Sequence, residues 1–462
     1  MKRNHIFTLL MFKLSVFLII VLNISSCSDE PVVEVPDVII SGDTVTDVTK
    51  TSAKVSATFT LKSGVPGETG IVYSTGPNPS LSNLAESTKI KDTTNSLSMS
   101  ISILGLKVRT KYYVKAYIKY LEEYYYSKTL EFETNYTPNS WELKTSFSGK
   151  SREDAVCFMI GDEVYVGLGR EASEKSDFWA YNVRTGTMTQ KSSFPLGSTV
   201  TKQDPRTGSV GFATSSPTGN TIWGYVGNGY VDLGNGKTTN YTTWYAYMPS
   251  PTNSWKPIAQ QFPGNGIKNA VAFAIDNKGY VCTGDFGSIG LESPTAKFYQ
   301  FDPTKADTHS SWSELPDFPA TARVNAVAFV IGKKAYVGCG RNGTNYYKDL
   351  YEFSPTESKW VTKASLPAAA AERESAVGFS IGNYGFIGCG SNGTTLLRDF
   401  YKYDPQSDTW IAKADFGGSA RKNAIGFAIQ ANSTYPYAYG YIGMGFDGSL
   451  KNDVYEYTPD PQ

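Results

Sequence analysis

The chain has 462 residues, and its 43 Lys and Arg residues balance 43 Asp and Glu residues, so the formal net charge is zero. This balance argues against nucleic acid as a partner, because phosphate binding requires a basic surface. Only two histidines are present, His5 and His309, which excludes most zinc hydrolases, copper oxidases and Ser-His-Asp enzymes. No metal or other cofactor is expected. Short alternating segments separated by Gly, Pro, Asn and Asp predict an all-β protein.

The first 26 residues have the pattern of a signal peptide. Lys2 and Arg3 precede an apolar run from Leu14 to Leu22, which is too short to span a bilayer. The run leads to Ile24-Ser25-Ser26-Cys27, which resembles the lipobox of bacterial lipoproteins. The resemblance implies that Cys27 is lipidated and becomes the first residue after cleavage. An ordinary signal peptide followed by a chance cysteine is the alternative.

Residues 27–36 are predicted to be a linker after the lipidated cysteine. Ser28-Asp29-Glu30 resembles the surface-export signal of Bacteroidetes lipoproteins, although a short acidic segment is also typical of a solvated linker. The resemblance implies an outer-membrane lipoprotein that faces the cell exterior and contacts the membrane through its lipid.

Residues 37–136 are predicted to form a β-sandwich, because strand and turn signals alternate every 8 to 12 residues. The candidate strands are Lys54–Leu61, Gly70–Ser74, Ser96–Ile103, Lys111–Tyr120 and Thr129–Thr134. The segment from Leu106 to Ala116 resembles the fibronectin type III signature, which implies that the Tyr112 hydroxyl bonds to the backbone upstream. We interpret this module as a spacer.

A repeat occupies residues 137–462. Trp255, Trp312, Trp360 and Trp410 follow one another at intervals of 57, 48 and 50 residues. Each unit has an Arg or Lys, an apolar strand, a Gly-rich strand and an aromatic strand, an order that resembles the kelch family. Six such units imply a six-bladed kelch-type β-propeller, of the kind found in the central domain of galactose oxidase.

The repeat also predicts how the ring packs and closes. A small residue recurs early in each innermost strand, where strands crowd at the axis: Ala155, Ser209, Ala270, Ala326, Ala376 and Ala424. The last unit ends without a Trp strand, whereas the segment from Trp141 to Phe147 precedes the first unit. We therefore expect that segment to complete the last sheet and protect its edge.

An arginine recurs before the innermost strand of five units, and the sixth unit has Lys268 one place later. These arginines are Arg152, Arg206, Arg323, Arg373 and Arg421. One interpretation is a ring of guanidinium groups that binds carboxylates or sugar hydroxyls. The other is a structural role, in which each arginine hydrogen-bonds backbone of the neighbouring unit; the repetition favours it, because one small ligand cannot use five equivalent groups.

Loops that break the repeat are the better candidates for a binding site. The longest and most aromatic ones lie in the second and third units. They contribute Tyr230, Tyr241 and Phe286, with Arg206 and Arg323 expected nearby. Aromatic faces stack on sugar rings, so the set predicts a glycan site, although Gly, Asn and Asp in these loops are also ordinary turn formers.

Three functions remain open at this stage. The first is a surface-anchored binding lipoprotein that recognises glycan. The second is a metal-free sugar mutarotase like the sialic acid mutarotase of the kelch group, since mutarotation needs only an acid and a base. The third is an adhesin that binds a surface protein. The shortage of histidine argues against copper oxidase chemistry, and no pair of carboxylates stands out as catalytic.

Overall fold

The computed structural model describes residues 37–461 apart from 197–198, 204, 235–236, 289–290 and 434–435. The predicted signal peptide, Cys27 and the linker up to Pro36 therefore lie outside the described residues. Within that part of the chain, no helix is long and apolar enough to cross a membrane. The chain separates into two compact units, and the division falls between Tyr136 and Thr137.

The first unit contains two antiparallel sheets around one apolar core. The three-stranded sheet consists of Val38–Thr46, Ser52–Leu61 and Ser98–Leu104, in that order. The other sheet has the order Thr88–Lys91, Glu68–Ser74, Lys111–Tyr120 and Glu123–Tyr126, with Leu130–Glu133 also paired to Lys111–Tyr120.

All five strands expected in the first unit are present, and three more were not predicted. The unexpected strands are Val38–Thr46, Thr88–Lys91 and Glu123–Tyr126. None of the three has a fully buried residue, so the alternation of apolar and polar residues that identifies a strand is weak in them.

Tyr112 makes the backbone contact expected of it. Its hydroxyl accepts a hydrogen bond from the Lys107 N–H at 2.9 Å, and its ring stacks on Phe132 with 5.7 Å between ring centres. The contact ties the turn before the strand to the strand itself.

The second unit contains six four-stranded antiparallel sheets within its described residues. We number them along the chain and give their strands in spatial order. Sheet 1 is Val156–Ile160, Glu163–Gly167, Phe178–Asn182 and Thr187–Lys191; sheet 2 is Val210–Ser215, Ile222–Gly227, Trp244–Met248 and Ser254–Pro257; sheet 3 is Val271–Ile275, Lys278–Cys282, Phe298–Phe301 and Trp312–Leu315. Sheet 4 is Val327–Ile331, Lys334–Gly338, Leu350–Ser354 and Lys359–Lys363; sheet 5 is Val377–Ile381, Tyr384–Gly388, Phe400–Asp404 and Thr409–Lys413; sheet 6 is Ile425–Ile429, Tyr439–Gly443, Asp453–Thr458 and Ser140–Ser146.

Short elements lie between these strands. The hairpins pair Pro195–Leu196 with Thr199–Gln203, Tyr230–Gly234 with Lys237–Asn240, and Arg341–Asn342 with Asn345–Tyr346. One 3₁₀ turn covers Pro303–Lys305.

Backbone hydrogen bonds join the six sheets into a closed ring. A glycine two residues after each second strand donates its N–H to a carbonyl shortly before the first strand of the next sheet, at 2.8–3.0 Å. The six bonds are Gly169–Arg206, Gly229–Ile267, Gly284–Arg323, Gly340–Arg373, Gly390–Arg421 and Gly445–Arg152, and the last joins sheet 6 to sheet 1. Gly340 has a φ of +87°, and a Cβ there would lie 2.7 Å from the Val324 oxygen, so only glycine fits.

Aromatic side chains fill the space between the first strands and the outer strands. In every sheet an aromatic ring of the first strand stacks on one of the second strand, at 4.9–5.7 Å between centres. The six small residues predicted at the axis line one central cavity, which confirms that prediction. Small residues near the axis and large ones farther out give each sheet the shape of a wedge.

The strand Ser140–Ser146 pairs antiparallel with Asp453–Thr458 as the fourth strand of sheet 6, so the predicted closure is confirmed. Trp141 packs its ring 5.0 Å from Phe400 of sheet 5 and 5.0 Å from Tyr457 of sheet 6. Its indole N–H donates to the Ala414 oxygen at 3.1 Å. The strand therefore holds the start and the end of the second unit together.

Candidate functional site

The recurrent arginines lie inside the sheets. In sheets 1, 4, 5 and 6 the guanidinium group binds both oxygens of an aspartate just before or at the start of the third strand, with N···O distances of 2.5–3.0 Å. The pairs are Arg152–Asp177, Arg323–Asp349, Arg373–Asp399 and Arg421–Asp453. Although burial alone would raise it, the Arg152 hydrogen bonds hold the pKa of Asp177 below its usual value. These arginines connect the first strand to the third.

Sheets 2 and 3 depart from this pattern. Arg206 donates to the Asn228 oxygen at 3.0 Å and to the Thr243 hydroxyl at 3.1 Å, and it stacks 3.9 Å from the Tyr241 ring centre. In sheet 3 the equivalent position is the buried Ile267. The pairing partner has therefore changed in sheet 2, and the pair is absent from sheet 3.

Arg206 and Arg323 were predicted to contact a ligand, and the structure places both elsewhere. Each residue has an exposed fraction of 0%. Their guanidinium groups contact oxygens within their own sheets, and Arg323 also lies 4.3 Å from the Tyr347 ring centre. Of the two interpretations of the arginine ring, these contacts support the structural one, but the expected partner was wrong: the guanidinium groups bond within their own sheets and not to backbone of the neighbouring sheet.

The axial cavity has a polar rim. Each sheet contributes the small axial residue and the residue before it; the preceding residues are Asp154, Gly208, Asn269, Asn325, Ser375 and Asn423. All six have φ between +53° and +60°, a region in which Asn, Asp and Gly are the usual residues. The cavity volume is about 160 Å³, far above the ~10–15 Å³ that one water needs.

A second layer of residues lies next to this rim. The residue one place before each rim residue pairs with the residue that follows the bridging glycine, in six short backbone bridges. The pairs are Glu153–Arg170, Thr207–Tyr230, Lys268–Asp285, Val324–Arg341, Glu374–Ser391 and Lys422–Phe446. We call these twelve residues the mouth ring. Seven of the twelve carry charge, namely four cations and three carboxylates, which suits a polar, charged ligand.

Two amide side chains of the rim connect the sheets through carboxylates of the mouth ring. Asn325 donates to Glu374 at 2.9 Å, and Asn423 donates to Glu153 at 2.9 Å. Arg170 in turn donates to Glu153 at 3.2 Å, and its side chain remains 41% exposed. The carboxylates are thus fixed, while Arg170 keeps an open face.

Asp154 has the most unusual environment of the rim. Its carboxyl group makes no hydrogen bond to any described residue, and it lines the axial cavity. Burial raises the pKa of Asp154 to about 7, and the charges of Glu153 and Glu374 add to the rise, whereas Arg170 and Lys422 oppose it. A carboxyl group that is half protonated at neutral pH can donate or accept a proton there.

Tyr230 is the one predicted aromatic residue that the structure brings to the axis. Its ring lies against Gly208, where a Cβ would be 3.1 Å away, and the Lys268 ammonium group is 5.6 Å from the ring centre. Burial raises the pKa of Tyr230 to about 12, and the charge of Asp154 contributes, so the hydroxyl stays protonated at neutral pH.

The contacts described for the Tyr241 and Phe286 rings are with residues other than Asp154. Tyr241 stacks on the buried Arg206, and Phe286 packs against the apolar core shared by sheets 2 and 3. Asn240 donates to the backbone oxygens of Phe286 and Gly287, at 3.3 and 3.2 Å. These contacts hold the loops that carry the two rings.

Sequence reasoning did not identify Asp154, Glu153, Arg170, Arg341 or Lys422 as site residues. They lie in short, regular parts of the repeat, and loop length pointed elsewhere. The available signal was their variation: the positions directly after the arginine and directly after the bridging glycine change in charge from unit to unit.

The fold has a known counterpart. The solved structure titled "Structure of YjhT", a kelch-type β-propeller, matches with a TM-score of 0.53 and 15% sequence identity over 67% of this chain and 95% of that chain. The second unit has a kelch-type β-propeller fold. No model of a protein family matches the chain.

Curated relatives match a shorter part of this chain. N-acetylneuraminate epimerase of Salmonella typhi is 30% identical over 129 residues, which is 27% of this chain and 27% of the epimerase. The protein of the same name from Salmonella enteritidis PT4 is 29% identical over the same lengths. The chain thus matches about a quarter of the length of these relatives.

Proposed function

We propose that the second unit is a six-bladed kelch-type propeller that binds an acidic sugar at the mouth ring and interconverts its anomers. The observation that carries this proposal is Asp154, an unpartnered carboxyl group at the axis with a pKa of about 7. The closed ring of six sheets supports the blade count, and relatives named N-acetylneuraminate epimerase support the substrate class.

The chemistry requires one proton to leave the anomeric hydroxyl and one to reach the ring oxygen. The bond between the ring oxygen and the anomeric carbon then breaks, and the open-chain carbonyl closes again on its other face. Asp154 is suited to the first transfer, because it exists in both protonation states near pH 7. The Tyr230 hydroxyl, which is protonated at neutral pH, is suited to give its proton to the ring oxygen as that bond breaks; when the new hydroxyl closes on the carbonyl, Tyr230 takes a proton back and Asp154 returns its proton to the carbonyl oxygen.

Positive charge beside Asp154 suits the carboxylate of the sugar. In N-acetylneuraminate the carboxylate is attached to the anomeric carbon itself, so cations that hold it bring the anomeric hydroxyl next to Asp154. Arg170 and Lys422 both act on the charge of Asp154. Lys422 has no ion-pair partner among the described residues, which leaves it available for a ligand.

Anomer exchange followed by NMR tests this proposal. We expect the protein to speed the approach of freshly dissolved N-acetylneuraminate to its anomeric equilibrium. The catalysed rate should rise as the pH is raised through about 7, because Asp154 takes the first proton as a carboxylate. Asp154→Asn should lower the catalysed rate by about 10²-fold and remove that change, since general acid–base groups contribute about 10²–10⁴-fold.

The control is Asp276→Asn, the same chemical change in the turn between the first two strands of sheet 3, where Asp276 pairs with Lys333 at 3.0 Å. It should leave the rate unchanged. Relaxation at the uncatalysed rate with the parent protein would refute the proposal.

Glycan binding without catalysis is the second candidate, and the exposed position of Arg170 beside the aromatic Tyr230 favours it. In that case the sugar binds at the mouth ring, but its anomers exchange at the rate found in water. An adhesin that binds a surface protein, the third candidate, would bind neither N-acetylneuraminate nor oligomers of this sugar.

We also propose that the protein is a lipoprotein of the outer membrane that faces outward, with the fibronectin-like first unit as a spacer. Cys27→Ala should move the protein from the membrane fraction to the soluble fraction, because the thiol that carries the lipid anchor is lost. Immunoblots of the two fractions measure this, with Cys157→Ala as the matched control. A membrane-bound Cys27→Ala protein would contradict the anchor, and protease treatment of intact cells tests the outward orientation.

A further inference from the structure

A second ionic group of the mouth ring lies in sheet 4. The Arg341 guanidinium group forms a fork with the Glu292 carboxylate, with N···O distances of 2.7 and 2.5 Å. Its Nε donates to Glu374 at 2.6 Å. One guanidinium group therefore binds two carboxylates, from sheets 3 and 5.

The two carboxylates are held very differently. The Glu374 side chain is 9% exposed, receives a further hydrogen bond from Asn325, and has its backbone bridged to Ser391. The Glu292 side chain is 39% exposed, and its only described bonds are those to Arg341. Glu374 is thus part of the rigid ring, whereas Glu292 approaches Arg341 from the solvent side.

Arg170, the equivalent residue in sheet 1, shows how exposed the Arg341 side chain would be without Glu292. Arg170 also follows the bridging glycine, but Glu153 is the one described residue that its side chain bonds to, and that side chain is 41% exposed, against 20% for Arg341. The fork of Arg341 matches a carboxylate in shape, and Glu292 reaches it from the solvent side, so the carboxylate of a ligand can take the place of Glu292 on the same two nitrogens.

The geometry points to Arg341 as a carboxylate-binding subsite that Glu292 occupies in the absence of ligand. The ligand class is an oligomer of acidic sugars: one carboxylate lies beside Asp154, and the carboxylate of a further sugar replaces that of Glu292 on the same fork without change to any covalent bond. This inference rests on the proposed binding of acidic sugar, but not on catalysis. Glu292 then acts as an internal competitor that lowers the affinity for ligands with this second carboxylate and leaves the affinity for other ligands unaffected.

Calorimetric titration of the whole chain tests the inference with two probes: a dimer of N-acetylneuraminate (the acid) and the same dimer esterified with methanol at the carboxylate of its further sugar (the ester). Glu292→Gln should tighten binding of the acid about fivefold, because a competing carboxylate is removed from the fork, and should leave binding of the ester unchanged. Glu314→Gln, the same change at an exposed position of sheet 3, should alter neither. Equal affinity of the parent and Glu292→Gln proteins for the acid would overturn the inference.

A double-mutant cycle separates competition from other effects. Arg341→Gln should weaken binding of the acid, and Glu292→Gln should then have no further effect, because its target has gone. If Arg341→Gln fails to fold, the comparison of acid and ester with Glu292→Gln alone still decides. If the protein catalyses anomer exchange but Glu292→Gln does not change the affinity for the acid, this inference is refuted and the proposed function stands. If Glu292→Gln tightens binding of the acid but the protein does not catalyse anomer exchange, only the catalytic part of the proposed function is refuted. If the acid binds neither protein, both proposals fall.

Discussion

A fragment of residues 151–462 is expected to melt far below a fragment of residues 137–462, or to aggregate. The longer fragment keeps Ser140–Ser146 as the fourth strand of sheet 6, and the shorter one removes it. The loss exposes the backbone edge of Asp453–Thr458 and the rings of Phe400, Phe416 and Tyr457, against which Trp141 packs at 5.0–5.1 Å. An unpaired strand edge of this kind is also a template for aggregation.

Single substitutions divide this effect into packing and pairing. Trp141→Ala should lower the free energy of unfolding by about 3–5 kcal/mol, as expected for the loss of a large packed aromatic side chain. Leu143→Ala is the matched control on the same strand, because Leu143 is 56% exposed and should contribute within about 0.5 kcal/mol. Denaturant titrations of the fragments and the two variants measure these differences. Equal midpoints for the fragments would mean that the closing strand contributes little to stability.

The repetition of the sequence made much of the second unit predictable. Each copy shows four strands and a small residue at the axis, and comparison of the copies shows the missing last strand. An error in one copy therefore does not change the conclusion. The first unit has no such redundancy. Its edge strand Val38–Thr46 was missed because its side chains are exposed or half-buried on both faces.

The sequence contains both the recurrent arginines and the aspartates that pair with them, but the two patterns were not compared with each other. The copies with an arginine before the first strand and an aspartate at the start of the third are those in which the two side chains meet. Where Thr243 replaces the aspartate, Arg206 takes the Thr hydroxyl, and where Ile267 replaces the arginine, the third strand is preceded by Lys297. This joint variation indicates a contact within each unit and not a ligand.

The candidate site was less predictable, since loop length was the criterion and the charged groups lie at short bridges. Tyr230 was predicted as a ligand contact because it lies in a long aromatic loop, and its contact with a ligand stays a prediction; the structure places it against the rim residue Gly208 because it directly follows a bridging glycine. Asp154 carries no motif: its raised pKa arises first from burial, then from the neighbouring Glu153 and, to a smaller extent, from Glu374, which is 220 positions away in numbering and comes near only once the ring has closed.

Replacement of Arg323 by Ala is expected to lower the free energy of unfolding by about 3–5 kcal/mol, because it leaves the Asp349 carboxylate without its partner inside the sheet. Both nitrogens of the fork bind Asp349, at 2.6 and 2.9 Å, and Nη1 also donates to the Cys339 oxygen at 2.9 Å. Arg323→Lys should also destabilise, since an ammonium group cannot reproduce the fork. Denaturant titration of the variants measures the loss.

Two comparisons make this result specific to the buried pair. Lys333→Ala breaks the exposed pair with Asp276, whose side chains are 76% and 48% exposed, and should cost at most about 1 kcal/mol. The double variant Arg323→Met with Asp349→Leu should be more stable than Arg323→Ala, because no charge is left unpaired. Binding of N-acetylneuraminate, measured where Arg323→Lys is fully folded, should match the parent protein. A variant that melts normally but loses binding would show that the buried arginine serves the ligand and would reverse the structural assignment of the whole set.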